Sequence, residues 1–168
     1  MIVGKGGGLG EVVVARLEVG EDLLEGMTRV CQESGIRNGV ILTGFGSVSR
    51  AVVSGTATAK FPPDEFYKID RAEGIEILAI SGVIADYHVH AHVALCTPTE
   101  SFGGHLEAGN IIFSLAEIAF AKIEGMNLKR MRDRVTQQRL LQVVPGYEGL
   151  PPEDEGGGLH DVAHRMKK

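Results

Sequence analysis

Four of the six histidines, His88, His90, His92 and His105, fall within eighteen residues of one another. Imidazole is a common metal ligand and titrates near neutral pH, so this cluster points first to a metal site. Along an extended strand alternate side chains share a face, which puts His88, His90 and His92 on one side with successive Cα atoms about 6.6 Å apart. Two such neighbours can converge on one ion through bonds of about 2.0 to 2.1 Å. The outer two of the three, roughly 13 Å apart along the strand, cannot easily do so. One histidine of the trio is therefore expected to stand aside unless the strand bulges.

The third ligand is expected from His105, because Gly103 and Gly104 precede it. Paired glycines permit positive φ and allow a returning segment to approach a neighbouring strand closely, bringing an imidazole over its face. Three imidazoles suit zinc, and also nickel, copper or iron. They leave a coordination position open, as in catalytic rather than closed structural sites. Glu107, Asp86 and Glu100 are the candidate supporting partners or fourth ligand. No nucleophile or general base declares itself, so the sequence assigns no catalytic residue and does not by itself make the protein an enzyme.

Other patterns fit less well. A cupin also opens with His-x-His but needs a glutamate a few residues on, where this chain has Val93, Ala94, Leu95 and Cys96. The α-class carbonic anhydrases share the local ligand geometry but need a much larger sheet than this chain can supply. The glycine-rich GKGGGLG at residues 4–10 lacks the order of a phosphate loop and follows no strand. His160 and His164 have the four-residue spacing of a helical metal pair, but they lie in a Gly-rich acidic tail that argues against an ordered site. The plain alternative for the main cluster is a strand that exposes a row of histidines to solvent.

The elements that must position these residues follow from hydropathy patterning. Glu11 to Leu17 is rich in β-branched residues and reads as a strand after a flexible lead-in at residues 1–10. Leu23, Leu24, Met27, Val30 and Cys31 then recur at helical spacing, with Glu21 and Asp22 in the first turn and Gly35 at the close. Residues 38–48 read as a buried strand broken by Gly44 and Gly46, and 51–59 as a second strand. FPPDEF at 61–66 is a turn. Ile75 to Leu95 reads as two strands or one bent strand, with Gly82 at a bulge or bend, and 97–109 as a turn-rich connection. The run NIIFSLAEIAFAKI at 110–123 satisfies a helical face through Ile112, Leu115, Ala116, Ala119, Phe120 and Ile123.

Composition bounds the rest. The 168 residues are 43% hydrophobic and 23% charged, which excludes a disordered chain and fits one globular domain. No apolar run reaches membrane-spanning or signal-peptide length, so the expectation is a soluble, cytoplasmic protein that does not engage a membrane. Cys31 and Cys96 are expected to be reduced, small hydrophobes. A net charge of −5 argues against binding nucleic acid through an overall basic field. Aromatics at 5%, with no Trp, leave few platforms for stacking bases.

The segment HAHVALCTPTESFGGHLEAG at 90–109 resembles the signature of the PPC domain family, which occurs alone in bacteria and archaea and joined to AT-hooks in plants. RLEVGEDLLEGMTRVCQESGI at 16–36, GVILTGFGSVSRAVVSG at 39–55 and IEILAISGVI at 75–84 extend the resemblance to about residues 11–144. It implies an α/β (α+β type) domain at 11–144, with a mixed, largely antiparallel sheet, one main helix near 21–34 and a homotrimeric assembly. It also implies that 110–123 is a strand, against the helical periodicity. Residues 145–168, rich in Gly, Pro and charge, form the expected loose tail.

The resemblance further implies a divalent metal, commonly zinc, on His90, His92 and His105, with His88 the extra histidine. The interval from His92 to His105 is slightly shorter than is usual in the family, which keeps a His88 and His90 pairing as the alternative. Plant members bind DNA through their AT-hooks, and this chain has no Arg-Gly-Arg-Pro element. The local feature for a DNA-associated regulatory role is the basic group Lys129, Arg130, Arg132, Arg134 and Arg139, of which three arginines would share one face if 130–134 is extended. The readings are thus a metal-binding protein of this family, with a small molecule at the metal, a DNA-associated regulator, a metal-dependent small-molecule hydrolase or lyase, and an oligomerisation module presenting its tail.

Overall fold

One 19-residue strand, β2 (Asn38–Thr56), organises the molecule. The structure, a computed structural model, describes residues 1–70 and 74–144. Before β2 come β1 (Gly8–Leu17) and the helix α1 (Leu23–Glu33); after it come β3 (Glu65–Asp70), β4 (Ile75–Ala85), β5 (His88–Cys96), β6 (Ser101–Leu106) and β7 (Ile111–Glu124). A hairpin, β8 (Leu128–Arg132) and β9 (Arg139–Val143), follows.

Along one edge β2 pairs first with β4 and then with β3; along the other it pairs with β7 and then with β6. The order β1-β7-β2-β4-β5-β6, with a further β2–β6 pairing, makes the sheet curl until β6 lies between β5 and β2. Every pairing among the described residues is antiparallel, so the mixed component of the expected sheet is absent there.

Helix α1 begins where Asp22 caps it, its carboxylate accepting from the backbone N–H of Leu24 and Glu25. Asp22 is thus the cap rather than a first-turn residue. Leu23, Met27 and Cys31, four apart, are fully buried against the sheet, and such burial contributes about 1.5 to 3 kcal/mol for each large side chain. Gly35, at φ 64, ends the helix in the left-handed conformation that favours glycine. The core continues through Val48, Val53, Ile77, Ile84, Leu95, Leu106, Ile112, Ile118 and Phe120.

The run at 111–124 is a strand, as the family resemblance implies and the helical periodicity does not. Its buried positions Ile112, Ala116 and Phe120 satisfy both periods and Ile118 only that of a strand, and the decision comes from β1 and β2, which pair with its two edges over most of its length. The break expected at Gly44 and Gly46 does not divide β2, which continues as a single strand, but the ladder to β7 shifts register between Gly46 and Val48; a Cβ on Gly46 would fall 2.2 Å from the Leu115 carbonyl oxygen, so glycine lets β7 approach. Gly82 sits in regular register with Ala91, and the irregularity falls instead between Ile77 and Ala79. The turn at 61–66 is shorter than expected, since β3 starts at Glu65. The lead-in is shorter too: β1 starts at Gly8, opposite Glu124, because the ladder to β7 runs to the end of that strand. The tail at 145–168 lies outside the described residues. No helix among the described residues is long and apolar enough to cross a membrane.

Candidate metal centre

Strand alternation places Val89, Ala91, Val93 and Leu95 of β5 in the core and turns His88, His90 and His92 the other way. Across the ladder His92 lies opposite His105 of β6, and on the far side of β6 His105 lies opposite Ser54 of β2. The interleaving of β6 is what brings the third imidazole over β5. Ring centroids are 4.7 Å apart for His90 and His105, 5.4 Å for His92 and His105, and 5.6 Å for His90 and His92. One ring nitrogen from each lies within 4.8 Å of the others. Two bonds to a single ion span at most about 4.2 Å, so small ring rotations suffice to close the set. The structure brings these three together and leaves His88 outside the group.

Gly103 and Gly104 make the approach possible. A Cβ on Gly103 would lie 2.3 Å from the Val93 carbonyl oxygen of β5, and one on Gly104 would lie 2.4 Å from the Ser54 carbonyl oxygen of β2. Neither glycine has positive φ; it is the missing side chain that is used, on both sides of the strand.

Beyond β6, Asn110 is fully buried and completes the ladder that the turn interrupts. Its carboxamide donates to the carbonyl oxygens of Val52 (2.8 Å) and Glu107 (2.6 Å) and accepts from the Val52 N–H (3.1 Å). The Gly109 N–H donates to the Asp22 carboxylate, tying the same turn to the start of α1.

Burial, reinforced by the charge of Arg130 and by the neighbouring imidazoles, pushes His90 down to about 4. His105 is also lowered, mainly by burial, with Glu107 and Glu65 pulling the other way. Burial first, and then Arg130 and Arg139, lower His88. At neutral pH His90 is thus neutral, the form that ligates a metal.

Of the three carboxylates expected to support the site, only Glu107 acts on the triad, and its Oε1 accepts from Ser54 Oγ at 2.5 Å. Asp86 lies in the β4–β5 turn, paired with Arg37 at 2.7 Å, and Glu100 is paired with Lys68 at 2.7 Å. Glu65 escaped sequence reasoning because it reaches His105 only through the pairing of β3 with β2.

The basic group is split by the hairpin. Arg130 and Arg132 lie on β8, Arg139 on β9, and Arg134 in the turn, so 130, 132 and 134 do not line one extended face; the pairing of Arg132 with Arg139 instead puts Arg130, Arg132 and Arg139 on one face of the hairpin. Lys129, Arg132, Arg134 and Arg139 are exposed, whereas Arg130 is half-buried and its charge reaches the histidines. The buried Asn38 sets this placement: its side-chain oxygen accepts from the N–H groups of Leu128 and Asp86, holding β8 beside the β4–β5 turn. Cys31 and Cys96 are both free, and burial pushes the Cys31 thiol up to about 12, so it is inert at neutral pH. His160 and His164 lie outside the described residues.

The family model for the Plants and Prokaryotes Conserved (PCC) domain matches residues 4–124. Among solved structures, the fold is similar to a metal-containing protein from Archaeoglobus fulgidus, with a TM-score of 0.73 and 28% identity over 83% of this chain and 98% of that one. It is also similar to a plant- and prokaryote-conserved (PPC) protein from Pyrococcus horikoshii, with a TM-score of 0.67 and 25% identity over 84% of this chain and 99% of that one. A curated relative, the bifunctional protein GlmU of Synechococcus, is 29% identical over 83% of this chain, which spans 22% of the length of that protein.

Proposed function

Because the chain belongs to the Plants and Prokaryotes Conserved domain family, we propose that it is a metal-binding protein holding a divalent ion, zinc, on His90, His92 and His105. The observation that carries this reading is the convergence of three imidazole nitrogens within 4.8 Å. Support comes also from the similar Archaeoglobus protein, which is metal-containing, and from the low pKa of His90, which keeps that ring ready to ligate. Zinc bound there would polarise an oxygen of a small-molecule ligand at its open position. The chain's own residues supply the rest. β5 and β6 fix the three rings, while Glu107 lends negative charge beside His105 and is itself held by Ser54. Among the described residues Glu107, the carboxylate beside the centre, is already held by Ser54, so binding is the reading favoured over a hydrolase or lyase step.

The same reading includes a homotrimer in the cytoplasm. Two free cysteines suit a reducing compartment. Phe45, Leu78 and Phe113 point away from the core and are 48%, 54% and 55% exposed. Phe45 and Leu78 flank the paired residues Gly46 and Ile77 on adjacent strands, so they form a joined apolar patch of the kind subunits cover.

Elemental analysis of chelator-free protein tests the metal reading. Near-stoichiometric zinc, lost in His105→Ala, is expected; a variant that keeps its full zinc content contradicts the assigned ligands. DNA association has one local feature in its favour, the exposed Arg132, Arg134 and Arg139 of the hairpin. It requires retention of duplex DNA at low salt that weakens when Arg132 and Arg139 become Ala, and no retention removes it.

A further inference from the structure

The hairpin β8–β9 lies beyond residues 4–124, which the family model matches, and carries three arginines that the metal site does not use. Arg132 lies directly opposite Arg139, and Arg130, two residues before Arg132, shares their face. Cβ atoms of directly opposed residues are about 4.5 to 5.5 Å apart, so the side chains of Arg132 and Arg139 start side by side. The third is drawn to the same place: Arg130 reaches across the ribbon, and its Nη1 donates to the Arg139 carbonyl oxygen at 3.2 Å. Arg132 and Arg139 are exposed; Arg130 is half-buried, and its Nε is buried without a hydrogen-bond partner among the described residues. None of the three arginines forms an ion pair with a described residue.

Both ends of the hairpin are fixed. At its base the Asn38 side-chain oxygen accepts from the Leu128 N–H at 3.1 Å, and the Val144 N–H donates to the Asn127 carbonyl oxygen at 2.9 Å. At its tip the Asp133 carboxylate accepts from the N–H groups of Val135 (3.1 Å) and Thr136 (2.7 Å) and from the Thr136 hydroxyl (3.0 Å). Asp133 is the one acidic residue between Leu128 and Val143, and it is committed to the turn that keeps Arg132 and Arg139 in register. Like charges directly opposite one another destabilise a strand pair, and an anion bound between them reverses that contribution. A phosphate monoester brings about two negative charges and three acceptor oxygens, one for each guanidinium, whereas a carboxylate has only two. The three charges are gathered at one point, not strung along a nucleic-acid backbone, and a net charge of −5 gives the chain no long-range pull on one.

We propose that the face of the hairpin formed by Arg130, Arg132 and Arg139 binds the phosphate group of a small phosphate monoester, each guanidinium taking one oxygen. The site is separate from the three histidines and does not rest on the metal reading. It draws on arginines that DNA association would also use, and the two differ in ligand: a single phosphate group here, a duplex backbone there.

The test titrates the full chain with phenyl phosphate, and separately with acetate, by isothermal calorimetry at low ionic strength. Saturable binding of phenyl phosphate is expected, with acetate at least about tenfold weaker. Arg132→Ala and Arg139→Ala should each weaken phenyl phosphate at least about tenfold, and Arg130→Lys, which keeps the charge but loses the fork, should weaken it by less. Lys129→Ala, on the opposite face of the same strand, and treatment with a chelator should leave it unchanged. Thermal melts guard against misfolded variants: without phosphate the Tm of Arg132→Ala should not fall below that of wild type, and phenyl phosphate should raise the wild-type Tm more. Equal phenyl phosphate affinity in wild type and both alanine variants overturns the proposal, as does a wild type that binds acetate equally well or binds neither anion. Binding that disappears on chelation places the anion at the metal centre, which overturns the proposal and leaves the metal reading standing. Retention of duplex DNA by a wild type that binds no phenyl phosphate overturns it in favour of DNA association.

Discussion

Replacing Gly104 by alanine should both destabilise the protein and loosen the metal site, and the structure sets the size of each effect. The new Cβ would lie 2.4 Å from the Ser54 carbonyl oxygen and 3.4 Å from the Val53 Cβ. Ordinary carbon-to-oxygen contacts are about 3.3 to 3.6 Å, so β6 must retreat from β2 by about 1 Å. Retreat is blocked on the other side, because Gly103 already lies so close to β5 that its own Cβ would fall 2.3 Å from the Val93 carbonyl oxygen. Overpacking of this kind costs about 1 to 3 kcal/mol, a fall in Tm of roughly 2 to 12 °C for a protein of this size. His105 is the next residue, and metal ligands tolerate displacements of only about 0.2 Å, so zinc affinity should fall by about 10- to 100-fold. Thermal melts of the metal-free protein and competition against a chromophoric chelator read the two effects. Gly7→Ala is the control, since its Cβ would meet nothing closer than 3.9 Å. A Gly104→Ala protein with wild-type Tm and wild-type zinc affinity would refute the account of why two glycines precede the histidine.

Three further outcomes are expected. Asn110→Ala removes three hydrogen bonds, leaving the buried N–H of Val52 unpaired and its carbonyl oxygen with only the longer bond from the Glu107 N–H; chemical denaturation should show a loss of about 2 kcal/mol or more, and a loss below about 1 kcal/mol would contradict the bridging role. Asp22→Ala removes the cap of α1 and the tie to Gly109, and should cost about 1 to 2 kcal/mol, with lower helical signal in circular dichroism; unchanged stability would count against it. In the metal-free protein, the depressed His90 pKa means that the unfolded chain binds the extra proton between about 6.5 and about 4. Stability should therefore fall as pH drops through that window, by on the order of 1 kcal/mol from this half-buried ring once solvent screening is allowed for. Urea melts of wild type and His90→Gln at pH 7 and pH 4.5 check it; an identical pH dependence in both would refute the assignment.

Much of this arrangement was legible in the residues themselves. The alternation of His88, His90 and His92 with Val89 and Ala91 gave both the shared face and the need for one histidine to stand aside, since it follows from strand geometry alone. Likewise α1 was marked by its four-residue apolar spacing and by Gly35 at its close, whereas Asp22, read as a first-turn acid, turned out to be its cap. The run at 111–124 was not legible from periodicity, because Ile112, Ala116 and Phe120 recur on a helix and on a strand alike, and only the neighbouring strands decide. The continuity of β2 was hidden because glycines that read as breaks serve close packing instead. Arg130 and Glu65 belong near the centre through pairings and a hairpin placement set by Asn38, all of them long-range contacts that leave no local mark.

The central claim is that one ion sits on His90, His92 and His105. X-ray absorption at the zinc edge of the protein as purified, compared with His88→Ala and His92→Ala, tests it most directly. The expected spectrum shows three imidazole nitrogens at about 2.0 to 2.1 Å, unchanged in His88→Ala and reduced in His92→Ala. A spectrum with fewer imidazoles, or one altered by loss of His88 and indifferent to loss of His92, would contradict it.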